Sequence, residues 1–105
     1  MYARIVRYQV AAELFDEALE GFAVAAKEIE KLDGFAHGYV LGDRDSGLVM
    51  TSTIWRNRAA LDASDVRASA LRQQAIRGVE GSVESVDRVE VVTEIRARTT
   101  SVMQS

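Results

Sequence analysis

Between Ala12 and Leu32 the residues Phe15, Ala18, Leu19, Phe22, Ala26 and Ile29 recur at three- and four-residue steps, which places them along one face of an α-helix. A helix with one apolar face has to lay that face on something, so this spacing limits the fold more than any other feature of the chain. Glu13, Asp16 and Glu17 stand near its start and Lys27 and Lys31 near its end, matching the sign of the helix dipole, and Gly34 is placed to stop it. Gly21 costs about 1 kcal/mol relative to alanine in a helix interior. Its presence predicts a point where the helix comes close to the sheet.

The segments around this helix read as strands. Tyr2–Val10 alternates and is rich in aromatic and β-branched residues, and Phe35–Leu41 and Leu48–Trp55 flank Gly42–Gly47, a cluster of turn formers that predicts a hairpin. Asn57 is a candidate N-cap for a short helix to about Asp62, and Ser64 or Asp65 for a second one to about Arg77, with Gly78 and Gly81 ending the helical region. Val83–Ile95 is the last strand, with Val86 and Val92 on one face and Val83, Val89, Val91 and Ile95 on the other. The order β-α-β-β-α-β predicts an α+β fold of ferredoxin-like type over residues 1–95, an antiparallel sheet with both helices on one face. Apolar residues on both faces of the last strand predict burial on both, with a second copy covering the open face as a homodimer. Arg96–Ser105 reads as a polar C-terminal tail.

Composition removes several classes of function. A chain of 105 residues, 48% of them hydrophobic, suits one domain, and one of this size buries roughly 60–70% of the surface its unfolded form exposes. With no cysteine and one histidine, thiol catalysis, disulfide scaffolds, iron–sulfur clusters and cysteine or histidine metal sites are excluded, and no cofactor is implied. A cytoplasmic location is the expectation. No continuous apolar block opens the chain, so neither a signal peptide nor a membrane span is expected. Thirteen basic against sixteen acidic residues, net charge −3, argue against nucleic acid as a partner. Gly34, Gly38 and Gly42 lack the spacing and setting of a dinucleotide loop.

The stretch DGFAHGYVLGDRDSGLVMTSTIWRNRAALDAS, Asp33 to Ser64, resembles the central signature of the antibiotic biosynthesis monooxygenase family. That signature has a Gly-Phe opening the second strand, a hairpin, a Trp ending the third strand and an Ala-Leu-x-Ala helix. The resemblance implies a dimeric α/β barrel. It leaves function open among cofactor-independent oxygenases, haem-degrading enzymes and binding proteins. In the oxygenases the Trp matched by Trp55 lines a pocket between sheet and helices, and an Arg on the second helix is matched by Arg72. The family's pocket Asn falls on Thr51 and its pocket Tyr on Leu61. The haem-degrading branch places a His on that helix, and Ser64–Gln74 contains none, so haem cleavage is not expected.

Each candidate site residue has a structural alternative. Trp55 is either a plug closing the core or a pocket wall, and Thr51 and Thr53, which share its face in a regular strand, tip the reading narrowly to the wall. His37 either has a structural role or moves a proton. On a regular second strand it shares a face with Phe35, Tyr39 and Leu41, opposite a small face of Ala36, Gly38 and Gly42 that leaves room for a bulky side chain such as Phe22. Tyr39 can hydrogen-bond a ligand or simply suit a half-buried strand. Arg72 is either a solvated helix residue or a fixed positive charge beside a phenolate. Two functions follow: a cofactor-independent monooxygenase-like protein acting on a flat aromatic phenol or quinol, with Arg72 and His37 catalytic and Trp55, Thr51, Thr53 and Tyr39 binding, or a non-catalytic dimer that binds a small molecule or protein.

Overall fold

In the computed structural model, which describes residues 1–98, the chain runs β1 (Tyr2–Gln9), a 3-10 turn (Ala12–Leu14), α1 (Phe15–Ile29), β2 (Phe35–Asp43), β3 (Leu48–Trp55), α2 (Arg58–Ile76) and β4 (Ser82–Glu90). The four strands form one sheet in the order β2-β3-β1-β4, every neighbouring pair antiparallel. This is the expected ferredoxin-like α+β arrangement. Of the tail expected over Arg96–Ser105, residues 99–105 lie outside the described residues. Among the described residues no helix is long and apolar enough to cross a membrane, and no three His, Asp or Glu residues are grouped to hold a metal.

The apolar face of α1 is seated as its spacing requires. Phe15, Ala18 and Phe22 are buried against Val6, Tyr8 and Val10 of the first strand region and Val49 of β3, and the Phe22 ring meets the Tyr8 ring edge-on at 4.7 Å between centroids. The helix is shorter than its apolar spacing suggested. Ala12–Leu14 forms a 3-10 turn, and after Ile29 the bonding tightens to Lys31 N–Glu28 O and Leu32 N–Ile29 O. Gly21 does mark a close approach, but to the other helix: a Cβ there would stand 3.0 Å from the Ala75 carbonyl oxygen of α2.

The second helical region is one helix. The Asn57 side chain caps it by accepting from Ala60 N at 2.9 Å, and with neither Gly nor Pro from Arg58 to Ile76 nothing interrupts its ladder. Ser64 and Asp65, read from sequence as a second start, are used otherwise: the Ser64 hydroxyl donates to Leu61 O at 2.7 Å, and Asp65 binds Arg4.

Two bulges decide which way side chains face. In β2, Phe35 pairs with Trp55 and His37 with Ile54, so Ala36 is extra and Phe35 turns to the helix side, while His37, Tyr39 and Leu41 point to the outer side. Phe35 therefore leaves the face on which a regular strand would group it with His37. The room made by Gly42 is filled by Phe15, not Phe22, since a Cβ there would lie 2.7 Å from Phe15 Cζ. In β4, a shift opposite Arg7 and Tyr8 brings Val83 to the helix side beside Val86, where alternation had separated them. β4 stops at Glu90 because its partner β1 starts at Tyr2, and the last bond is Val91 N–Met1 O at 2.8 Å.

Candidate functional site

A cavity of about 410 Å³ lies between the sheet and the two helices, within the size range of small-molecule sites. Val6 and Tyr8 of β1 and Thr51 and Thr53 of β3 form its floor. Phe22 and Ile29 of α1 and Leu71 of α2 cover it, and Phe35 and Val40 of β2 border it. β2 is an edge strand, exposed or half-buried along its whole length, so the cavity opens on that side. The lining is mostly apolar. Its charged groups are two arginines, Arg4 and Arg72, and the carboxylate of Glu30.

Arg4 is the one charged residue in the inward alternation Arg4, Val6, Tyr8, Val10, and it is only 3% exposed. Its Nη2 donates to Leu61 O at 3.1 Å, to Ser64 Oγ at 3.0 Å and to Asp65 Oδ1, while the guanidinium lies over the Trp55 ring at 5.8 Å from the centroid. Its Nη1 is buried and has no hydrogen-bond partner. Nor has Nε of Arg72, which lines the same cavity from α2. Leaving a buried donor unsatisfied costs about 1–3 kcal/mol, more when the group is charged. Both nitrogens have almost no accessible surface, while other atoms of the two arginines line the cavity.

Burial draws the Arg4 guanidinium below its ordinary pKa. The hydrogen bond and charge of Asp65 raise it again, and the nearby cations Arg72 and Arg88 lower it. An arginine keeps its charge under such pressure, so the cavity is lined by a desolvated cation paired with Asp65, by a second cation, Arg72, and by the carboxylate of Glu30. Among the described residues Arg72 makes no ion pair.

The residues expected from sequence divide between two places. Arg72, Thr51 and Thr53 line the cavity. Thr51 Oγ1 lies 3.4 Å from the Tyr8 hydroxyl, and Thr53 Oγ1 accepts the indole N–H of Trp55 at 3.0 Å. Trp55 is fully buried with its ring edge-on to Phe35 at 5.4 Å, and it is Phe35, not Trp55, that borders the cavity. Trp55 therefore sits behind the cavity lining: its N–H is satisfied within its own strand, and the Arg4 guanidinium covers its face. His37 and Tyr39 border the cavity along edge strand β2, but by register their rings belong to the outer face, 6.3 Å apart, beside Ile54, Met1 and the segment after β4. His37 and Arg72 both border the cavity, His37 from the edge strand and Arg72 from α2. Arg4 and Phe35 are the residues that sequence reasoning missed. The signal for Arg4 was a single charge inside an apolar alternation, whereas the bulge that turns Phe35 inward leaves no such mark.

A family model described as antibiotic biosynthesis monooxygenase matches residues 1–77. Among solved structures, a protein of Deinococcus radiodurans assigned to the antibiotic biosynthesis monooxygenases superposes with a TM-score of 0.75 at 15% identity, covering 93% of this chain and 99% of that one. SnoaB, a cofactor-independent oxygenase of Streptomyces nogalater, gives 0.68 at 17% identity over 91% of this chain and 97% of its own. An arginine-to-serine mutant of MhuD, with two manganese protoporphyrin IX molecules bound per active site, gives 0.72 at 21% identity over 92% and 100%. At these identities the structures speak for the fold. No protein of curated function matches the sequence.

Proposed function

The chain belongs to the antibiotic biosynthesis monooxygenase family, and from that premise we propose that it binds a small flat phenol or quinol as its anion, between sheet and helices, and exposes it to dioxygen without a cofactor. The observation that carries this reading is the pair of arginines, Arg4 and Arg72, that line a mostly apolar cavity whose one acidic lining residue is Glu30. A cation in a site of low polarity stabilises a phenolate far better than water does. Binding therefore lowers the ligand's own pKa, from about 10 for a phenol, and the proton leaves through the open side at β2. The anion is electron-rich enough to react with dioxygen directly. Phenol plus dioxygen gives quinone plus water: one oxygen atom replaces ring hydrogen as the new carbonyl, the other leaves as water, and the substrate supplies all four electrons. Phe22, Phe35 and Leu71 hold the ring and exclude water.

Binding without turnover is the second reading, and the position of His37 favours it. With that ring on the outer face of the sheet, and with Thr51 and buried Leu61 where the oxygenases have Asn and Tyr, the cavity is poorer in proton-handling groups than the resemblance implies. Oxygen uptake measured over a quinol panel, with binding read by isothermal titration in parallel, separates the two. Uptake that tracks occupancy supports the oxygenase, binding without uptake supports the binding module, and no binding by any member of the panel sinks both.

The proposed partner is a second copy of the chain. On the outer face Tyr39 is 63%, Leu41 50% and Val89 49% exposed, and sheet-to-sheet packing of two copies would remove these side chains from water.

A further inference from the structure

We infer that Glu30 is a specificity-determining residue of this cavity, selecting an aromatic whose second hydroxyl, at the end away from the arginines, donates to the Glu30 carboxylate. The inference rests on the reading that the cavity takes a phenol, and it adds what the far end of that phenol carries. Charge of one sign lies within the cavity and charge of the other sign at its rim. Arg4 is 3% exposed and Arg72 is half-buried, whereas Glu30 is exposed and still lines the same space. Among the described residues Glu30 enters no ion pair, so no cation of the fold neutralises it.

Helix geometry sets the opposite charges on different sides. Glu30 is the C-cap of α1 in right-handed helical conformation, and its N–H still donates to Ala26 O at 3.0 Å, so it continues the rotation of the helix. At about 100° per residue it stands roughly 180° around the axis from Gly21 and about 160° from Glu28. Those two residues face α2: a Cβ on Gly21 would meet the Ala75 carbonyl oxygen, and Glu28 pairs with Arg67. Glu30 therefore faces away from α2, toward the edge strand β2 where the cavity opens, while Arg72 borders the cavity from α2 and Arg4 from β1. His37 and Tyr39 border it from β2 as well, but register assigns their rings to the outer face, which leaves Glu30 as the charged acceptor at this rim. A flat aromatic reaching from α2 to β2 meets cations at one end and a carboxylate at the other. Its phenolate oxygen suits the cations. The carboxylate has only lone pairs to offer, so it favours a hydroxyl that donates a charge-assisted hydrogen bond and disfavours a bare acceptor oxygen.

The test is isothermal titration of the full chain at neutral pH under nitrogen with three probes: naphthol, the symmetric naphthalenediol with one hydroxyl at each end, and the monomethyl ether of that diol. The ether keeps the length and loses the second donor, and naphthol, bare at the far end, reports the cavity alone. The diol should bind at least about tenfold more tightly than the ether, about twofold from its symmetry and the rest from the charge-assisted bond that persists beside water. Glu30→Ala should lower that ratio to about two while leaving the ether's own affinity within about twofold, a pattern that a structural role alone would not give. Glu30→Gln, which keeps a neutral acceptor, should give an intermediate ratio. Glu28→Gln removes the same charge from a residue that does not line the cavity, and should leave the ratio as in the wild type. A diol no tighter than its symmetry allows, a preference that survives Glu30→Ala, or one lost equally in Glu28→Gln overturns the Glu30 subsite while leaving the phenol cavity standing. Failure of all three probes to bind at millimolar concentration overturns both.

Discussion

Replacing Trp55 by phenylalanine should destabilise the protein by about 2–4 kcal/mol while leaving the cavity's affinity for flat aromatics almost untouched. The side chain is fully buried, so the atoms lost with the smaller ring correspond to roughly two buried methylenes, about 1.6 kcal/mol of transfer free energy. The space they vacate adds a cavity contribution. The hydrogen bond to Thr53 Oγ1 disappears, at about 1 kcal/mol net, and the stacking of Arg4 over the ring weakens, at roughly 0.5 kcal/mol. For a domain of this size each kcal/mol moves Tm by about 4–8 °C, so scanning calorimetry should record a fall of roughly 10–30 °C. Chain concentration must be held fixed, because self-association would shift Tm by mass action. The cavity is bordered by Phe35 in front of Trp55, so ligand titrations on the folded variant should change less than about twofold, well under the 1.4 kcal/mol of a tenfold effect. A loss below 0.5 kcal/mol accompanied by a tenfold drop in affinity would refute the plug and restore Trp55 as a wall.

Asn57→Ala removes the side-chain acceptor at the start of α2 and should cost about 1 kcal/mol, read as a lower urea midpoint at unchanged m. Glu28 accepts from Lys31 and Arg67, and Lys31 above all holds its carboxyl below the ordinary glutamate range. The folded state thus binds this proton less readily than the unfolded one, so its contribution is present above the unfolded pKa and is lost as pH falls through the folded pKa. Glu28→Gln should narrow the gap between the urea midpoints at neutral and strongly acid pH, and an unchanged gap would rule out this linkage. Leu41→Lys, on the exposed outer face, should shift light-scattering mass from dimer toward monomer with the circular dichroism spectrum retained. A wild-type monomer at micromolar concentration would remove the proposed partner altogether.

Element order and fold class were legible in the chain because each element advertises itself locally. The face of α1 recurs every three or four residues, the strands alternate, and Asn57 caps by bonding only three residues away. The faces of Phe35 in β2 and Val83 in β4 were not legible. A bulge is one extra residue, and each residue of slip reverses every later side chain, so Phe35 could join Trp55 and Val83 could join Val86 only once strand partners had set the register. Of the candidate site, Arg72, Thr51 and Thr53 could be read from sequence as cavity residues, because an outward spacing on a helix or strand is enough to nominate them. Arg4 and the role of Trp55 could not. The groups that hold Arg4 are 57 to 61 residues away along the chain, and whether a buried guanidinium ends with every donor satisfied or with one left without a partner depends on how β1 and α2 meet. That is set by packing, which no local pattern encodes.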